Sequence, residues 1–268
     1  MKDRELQKRL IFGIGALAVF LPLLYVGGLV FQLLIGSLAM LGVYELMKMK
    51  GLEVFTIEGV LSLLAALVLT LPLTSYLPFL PTDANYTLYG LLVLILLGAT
   101  VVGGDYSFED AAYPLAASFY VGFGFHALIA ARQVGFDRVL LGLLIVWATD
   151  SGAYFIGKQF GKNKLMPTIS PNKTIEGSLG GVVSALVVSL LFLMVDARVA
   201  NGHNVLVFMF AVVFFSLAGQ FGDLVESSVK RHFGVKDSGR FIPGHGGVLD
   251  RFDSLLFVFP LMHLFGLF

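Results

Sequence analysis

Apolar residues run along this chain in stretches of about 17 to 22, and polar residues collect between the stretches rather than alternating within them. At 1.5 Å of rise per residue, a helix of that length covers the ~30 Å of hydrocarbon in a bilayer. A helix-length window finds nine such runs, at about 10–27, 28–47, 57–75, 86–103, 112–131, 138–157, 175–195, 205–224 and 248–268. Little more than Gly27-Gly28 separates the first two, which predicts a tight helical hairpin, and a Pro-rich loop (Leu77-Pro78-Phe79-Leu80-Pro81) separates the third from the fourth. No soluble domain or internal repeat is visible. The expected fold is therefore all-α and polytopic, one integral membrane domain spanning 1–268 with about nine transmembrane helices. Residues 1–131 make an N-terminal helical part with no assigned site. Residues 132–268 carry two loops longer than a hairpin needs, 158–174 and 225–247.

Composition sharpens this reading. Hydrophobic residues make up 57% and charged residues 13%, against roughly 25% charged in a soluble domain. The net charge of zero supplies no basic field for nucleic acid. Cysteine is absent, which excludes disulfides, thiol nucleophiles and thiolate metal sites, and the five histidines have no zinc-like spacing. Lys2, Arg4, Lys8 and Arg9 before Leu10 imitate a signal peptide, but no small-residue cleavage site follows, so the segment reads as a retained first span. With the N-terminus cytoplasmic, fifteen of the 18 Lys and Arg fall inside, and Arg132, Arg138 and Arg198 fall outside. The C-terminus is then expected outside, and both long loops on the cytoplasmic face.

Three polar constellations stand against this apolar background. In Trp147–Lys158, Asp150 lies within a span, where an ionisable group costs about 2.5–3.5 kcal/mol on insertion scales and needs a partner or a wet cavity. Thr149, Ser151 and Tyr154 bring hydroxyls to it; a plain packing hydrogen bond would need only Ser or Asn. In Ser170-Pro171-Asn172-Lys173-Thr174-Ile175-Glu176-Gly177, Ser before Pro predicts Ser170 as helix cap and Pro171 as first helical residue, leaving Lys173 beside free N–H groups suited to an anion. Lys162 and Lys164 read as topogenic.

The third constellation is the richest. Asp223, Glu226, Ser227 and Lys230 form one stripe on a helix leaving the membrane, followed by Arg231, Lys236, Asp237, Arg240, Gly244, His245, Gly246 and Gly247, then Asp250, Arg251 and Asp253. Asp250 and Asp253 share a face at i, i+3. Three hard carboxylates without Cys or clustered His suit magnesium and a phosphate substrate. The glycines and the helix start after them suggest a backbone anion site. Lipid-anchoring lysines alone would leave these aspartates unexplained. A secondary transporter would place its site at midplane between repeats, and none is found.

The stretch Ser227-Ser228-Val229-Lys230-Arg231, then Lys236-Asp237-Ser238-Gly239, then Ile242 through Asp253 resembles the signature of phosphatidate cytidylyltransferases, the CDP-diacylglycerol synthases. Asp150 to Tyr154 and Ser170 to Gly177 also resemble family segments, whereas the first half is similar only in length and hydropathy. The spaced Asp-Gly, Ala-Arg and Asp pattern of CDP-alcohol phosphotransferases is absent. The resemblance implies magnesium-dependent transfer from CTP to phosphatidate, with release of pyrophosphate, at the cytoplasmic face of the cell's inner (plasma) membrane. It implies metal ligands at Asp223, Asp250 and Asp253, a second monovalent cation (potassium), and a homodimer. Catalysis is expected from Asp223, Lys230, Asp250, Asp253 and His245. Substrate binding is expected from Asp150, Ser151, Tyr154, Ser170, Lys173, Thr174, Glu176, Arg231, Lys236, Asp237, Gly246, Gly247 and Arg251. A phosphate monoester is already anionic, so direct displacement is expected, with His245 as the serious candidate for a covalent route.

Overall fold

The computed structural model describes residues 2–102, 106–239, 241 and 246–268, leaving aside the side chains of 2–12, 14 and 102. In chain order the elements are α1 (Lys2–Val26), α2 (Gly28–Met49), α3 (Ile57–Thr70), the short α4 (Leu73–Tyr76), α5 (Ala84–Val102), α6 (Phe108–Val134) and α7 (Phe136–Phe160). The strands β1 (Lys164–Met166) and β2 (Ser170–Thr174) follow, then α8 (Ile175–Val195), a 3-10 turn (Ala197–Ala200), α9 (Val205–His232), α10 (Leu249–Phe252) and α11 (Leu255–Leu264). Gly27 and Gly28 take φ of 70° and 62° between α1 and α2, a left-handed geometry suited to glycine.

Among the described residues, six helices are long and apolar enough to cross a membrane: Gly28–Met49, Ala84–Val101, Phe108–Val134, Phe136–Phe160, Ile175–Val195 and Val205–His232. Three further apolar helices, Gly15–Val26, Ile57–Thr70 and Leu255–Leu264, are shorter. The expected third span, 57–75, stops at Thr70 because Leu71 precedes Pro72 and is pushed into an extended conformation (φ −80°, ψ 139°). The expected continuous ninth span, 248–268, is also corrected. It breaks after α10, where the Asp253 carboxylate accepts the Ser254 N–H at 2.7 Å. α11 then ends in a left-handed Gly266 (φ 69°), with the Leu267 N–H donating to the Met262 carbonyl. In the other direction, α9 runs 28 residues to His232, eight past the expected boundary at 224, and carries the polar stripe out to Lys230.

Among the described residues, the all-α expectation meets a two-stranded sheet in loop 158–174. Here β1 and β2 pair antiparallel, with Lys164 opposite Thr174 and Met166 opposite Ser170. Ser170 is therefore not a helix cap and Pro171 is not helical. A two-stranded hairpin has only outer edges, so it tolerates a residue without an N–H. The cap is Thr174, whose hydroxyl accepts the Gly177 N–H at 3.1 Å and starts α8 four residues later than expected.

The chain divides into two compact units: residues 1–129 with 237–250, and residues 130–236 with 251–268. In the first, α2 packs on α3 and α3 on α5, around buried Phe31, Ile35, Leu69, Phe125 and Leu128. In the second, α7 and α8 pack closely through glycines. A Cβ at Gly181 would come within 2.8 Å of the Thr149 carbonyl, and one at Gly152 within 2.7 Å of the Gly180 carbonyl. Small residues let membrane helices approach this way. α9 closes the unit against α7, α8 and α11, with Phe208, Phe215, Phe259 and Met262 fully buried.

Candidate active site

The second unit holds a cleft of about 350 Å³, lined from α7 by Asp150, Tyr154 and Lys158, from β2 by Lys173 and Thr174, and from α8 and α9 by Ser178, Gln220 and Asp223. The hairpin positions Lys173. Thr174 is fixed by its capping bond, the Ile175 N–H donates to the Asn163 carbonyl at 2.9 Å, and Lys173 projects one residue earlier. Its Nζ lies 2.5 Å from Asp223 Oδ2, and both side chains are about one-third exposed, at 27% and 33%. Asp223 also accepts the Ser227 hydroxyl at 3.2 Å. On α7, the Lys158 ammonium lies 5.8 Å from the centre of the Tyr154 ring, a cation–π distance. Behind the cleft, the Thr149 and Ser216 hydroxyls share a hydrogen bond of 2.8 Å that ties α7 to α9.

The charges here act on one another. Asp223, Lys173 and Arg251 contribute to the field at Asp150; Asp223, Lys230 and Asp150 contribute to that at Asp253. Lys230 is buried and pairs with buried Glu226 one helical turn away, at 2.5 Å. Among the described residues no three His, Asp or Glu side chains gather into a metal cage. Magnesium needs no such cage, because it usually takes one or two carboxylates and fills its remaining positions with water and phosphate. Asp223, a hard oxygen donor on a part-exposed cleft wall, fits that chemistry.

Asp250 belongs to the first unit, where its carboxylate is bound into the loop that precedes it. Oδ2 accepts the Ser238 N–H at 2.8 Å, the Ser238 hydroxyl at 2.9 Å and the Gly247 N–H at 2.7 Å. The Val248 and Leu249 N–H groups donate to Glu45 of α2, at 2.8 and 3.0 Å. The backbone donors of 247–249 were expected to receive a substrate anion; the protein's own carboxylates already occupy them. Gly246 takes φ 83° in the same turn.

The other expected site residues are more dispersed. Ser151 is exposed on α7 and, like Ser170 and Glu176, is not among the cleft-lining residues. The Glu176 carboxylate accepts the backbone N–H groups of Lys162 and Asn163 and the Asn163 side-chain amide, closing the base of the hairpin loop. Arg231 donates to the Val235 carbonyl at 2.9 Å, finishing α9, while Lys236 and Asp237 are exposed. His245 and Arg240, with Ile242, Pro243 and Gly244, lie outside the described residues.

Sequence reasoning missed Ser178 and Gln220, whose side-chain amide donates to the Ser178 carbonyl at 3.3 Å. It also missed Glu45. A signal for Glu45 existed, because Tyr44-Glu45-Leu46 puts a carboxylate inside an apolar run, the same anomaly that marked Asp150.

Residues 7–268 match the profile of the Cytidylyltransferase family. The chain is 43% identical over 260 residues to a phosphatidate cytidylyltransferase of Staphylococcus haemolyticus, covering 96% of this chain and 97% of the relative. The same identity and coverage hold against proteins of that name from Staphylococcus aureus, over 257 residues, and Staphylococcus epidermidis, over 265.

Proposed function

The chain belongs to the cytidylyltransferase family, and from that premise we propose that it is a phosphatidate cytidylyltransferase, converting CTP and phosphatidate to CDP-diacylglycerol and pyrophosphate. The structural observation that carries this reading is the cleft in which a cation, Lys173, and a carboxylate, Asp223, face each other at 2.5 Å. Such a pair is poised to exchange partners: phosphate oxygens would take the ammonium, leaving the carboxylate free to hold a metal. Asp223 would hold magnesium, with Asp253 of the same unit as a further carboxylate; Asp250 enters as a ligand through the family resemblance alone. Magnesium, when bound, neutralises charge on the polyphosphate and the leaving group. A phosphate oxygen of phosphatidate attacks the α-phosphorus of CTP, a P–O bond forms, and the bond to the bridging oxygen breaks to release pyrophosphate. The nucleophile is already an anion at neutral pH, so no side chain must remove a proton. Lys173 and Lys158 bind and orient phosphate, and the work of the site is positioning and charge neutralisation.

Purified protein supplied with labelled CTP and phosphatidate should form a CDP-lipid. It should give no exchange of labelled pyrophosphate into CTP when lipid is absent, and its kinetics should be sequential. Lipid-independent exchange abolished by His245→Ala would instead make His245 a covalent nucleophile.

The orientation belongs to the same proposal. α8 is 21 residues long, about 31 Å. Lys158, Lys162, Lys164 and Lys173 precede it, and Arg198 follows it. The lysine side is cytoplasmic by the positive-inside bias. Because native cysteine is absent, single cysteines report this cleanly. At exposed Lys162 a cysteine should react only from the cytoplasm, and at exposed His203 only from outside. Ser238, in a polar loop, is a poor reporter because it is buried. Labelling of both positions from one side would defeat the proposed topology.

A further inference from the structure

We infer that Glu45 is a positioning residue for nucleotidyl transfer, holding the Asp250 segment in its working geometry; this rests on the proposed function. Glu45 is only 4% exposed. A carboxylate that deep is costly unless its oxygens are occupied by donors. Both are, and by one segment. Oε1 accepts the Val248 N–H and Oε2 the Leu249 N–H, at 2.8 and 3.0 Å. Two consecutive amides gripped by the two oxygens of one group fix the orientation of the chain immediately before Asp250.

A second route reaches the same aspartate. The Ser238 hydroxyl lies 2.9 Å from Glu45 Oε2 and 2.9 Å from Asp250 Oδ2, bridging the two carboxylates. Glu45 therefore acts on Asp250 through the backbone on one side and through Ser238 on the other. The surrounding residues are small in a way that admits it. A Cβ at Gly239 would come within 2.9 Å of Glu45 Cδ, and one at Gly247 would collide with the Glu45 carboxylate and the Ser238 hydroxyl. Ser238, Gly239 and Gly247 all belong to the stretch that resembles the family signature, and each touches Glu45 or makes room for it. Holding a reacting group within a fraction of an ångström matters because a 1 Å misplacement can cost about 10²-fold in rate.

Glu45→Gln keeps the shape but presents an NH₂ group to one of the two backbone N–H donors. Its kcat should fall about 30-fold, with KM for CTP within about threefold of wild type. Ser238→Ala, which removes only the bridge, should lower kcat by a smaller factor, and the double variant should lose less than the product of the two, as members of one network do. Amide hydrogen exchange followed in the same preparations should quicken over 246–252 and stay unchanged in α7 and α8. A kcat within threefold of wild type in Glu45→Gln overturns the inference. So does a rise in KM with kcat intact, or an acceleration of exchange throughout the chain, which would make Glu45 a fold residue only. Failure of the wild-type protein to make CDP-lipid would defeat the proposed function instead, and the exchange measurement would still show whether Glu45 holds the segment.

Discussion

Turnover should fall by at least about 100-fold when Asp223 is replaced by Asn, with the protein still inserting and purifying. The substitution keeps the oxygen that accepts the Ser227 hydroxyl and removes only the charge. That charge balances Lys173 in the cleft, and on the proposed function it would also supply a hard anionic ligand for magnesium once the polyphosphate engages Lys173. A hundredfold loss corresponds to about 2.7 kcal/mol of transition-state stabilisation, in the range expected for one preorganised electrostatic group. Asp253→Asn and Asp250→Asn should cost at least as much. Asp250→Asn carries an added loss, because its Oδ2 accepts three donors of the loop. The check is turnover at saturating magnesium in purified variants. Near-normal activity in two of the three would sink the metal assignment.

Lys173→Ala should lower kcat/KM for CTP by about 10- to 100-fold, the loss of one charge-assisted contact worth about 1.5–3 kcal/mol. It also leaves the Asp223 charge without its ion pair. Lys162→Ala is the control. Its side chain is exposed, and it is the backbone N–H of that residue that bonds to Glu176. Equal large losses at both lysines would show that the wrong basic residues have been assigned to the cleft. Lys230→Ala is a different experiment. Its partner Glu226 is 1% exposed, and breaking a buried pair from one side costs about 3–5 kcal/mol of stability. A melting temperature well below wild type should accompany any loss of activity there.

These contrasts mark where the chain could be read without coordinates. Long apolar runs locate helices because only a helix satisfies its own backbone in lipid, and among the described residues six of the runs form helices long enough to span. Asp150, Lys173 and Asp223 were legible because charge and polar groups inside or beside such runs need a reason. What escaped was decided by tertiary partners or fine local geometry. Ser170-Pro171 and Thr174-Ile175 both look like helix starts, and the pairing of β1 with β2 selects the second. The last apolar run is uniform in hydropathy, yet the Asp253 side chain and Gly266 cut it to a helix of ten residues. Glu45 was invisible as a partner of Asp250 because the link exists only in three dimensions.

That link has a consequence for synthesis. The contacts from Glu45 to Ser238, Val248 and Leu249 close loops of 193, 203 and 204 residues. Translation at about 5–20 residues per second separates the two ends by roughly 10 to 40 seconds. During that interval α2 is already made and its carboxylate has no segment to grip. Asp250 therefore acquires its orientation only about 200 residues of synthesis after Glu45 has been made. A chain stalled or truncated anywhere before residue 249 leaves a helical stub in which Glu45 has nothing to hold and the Asp250 segment is missing.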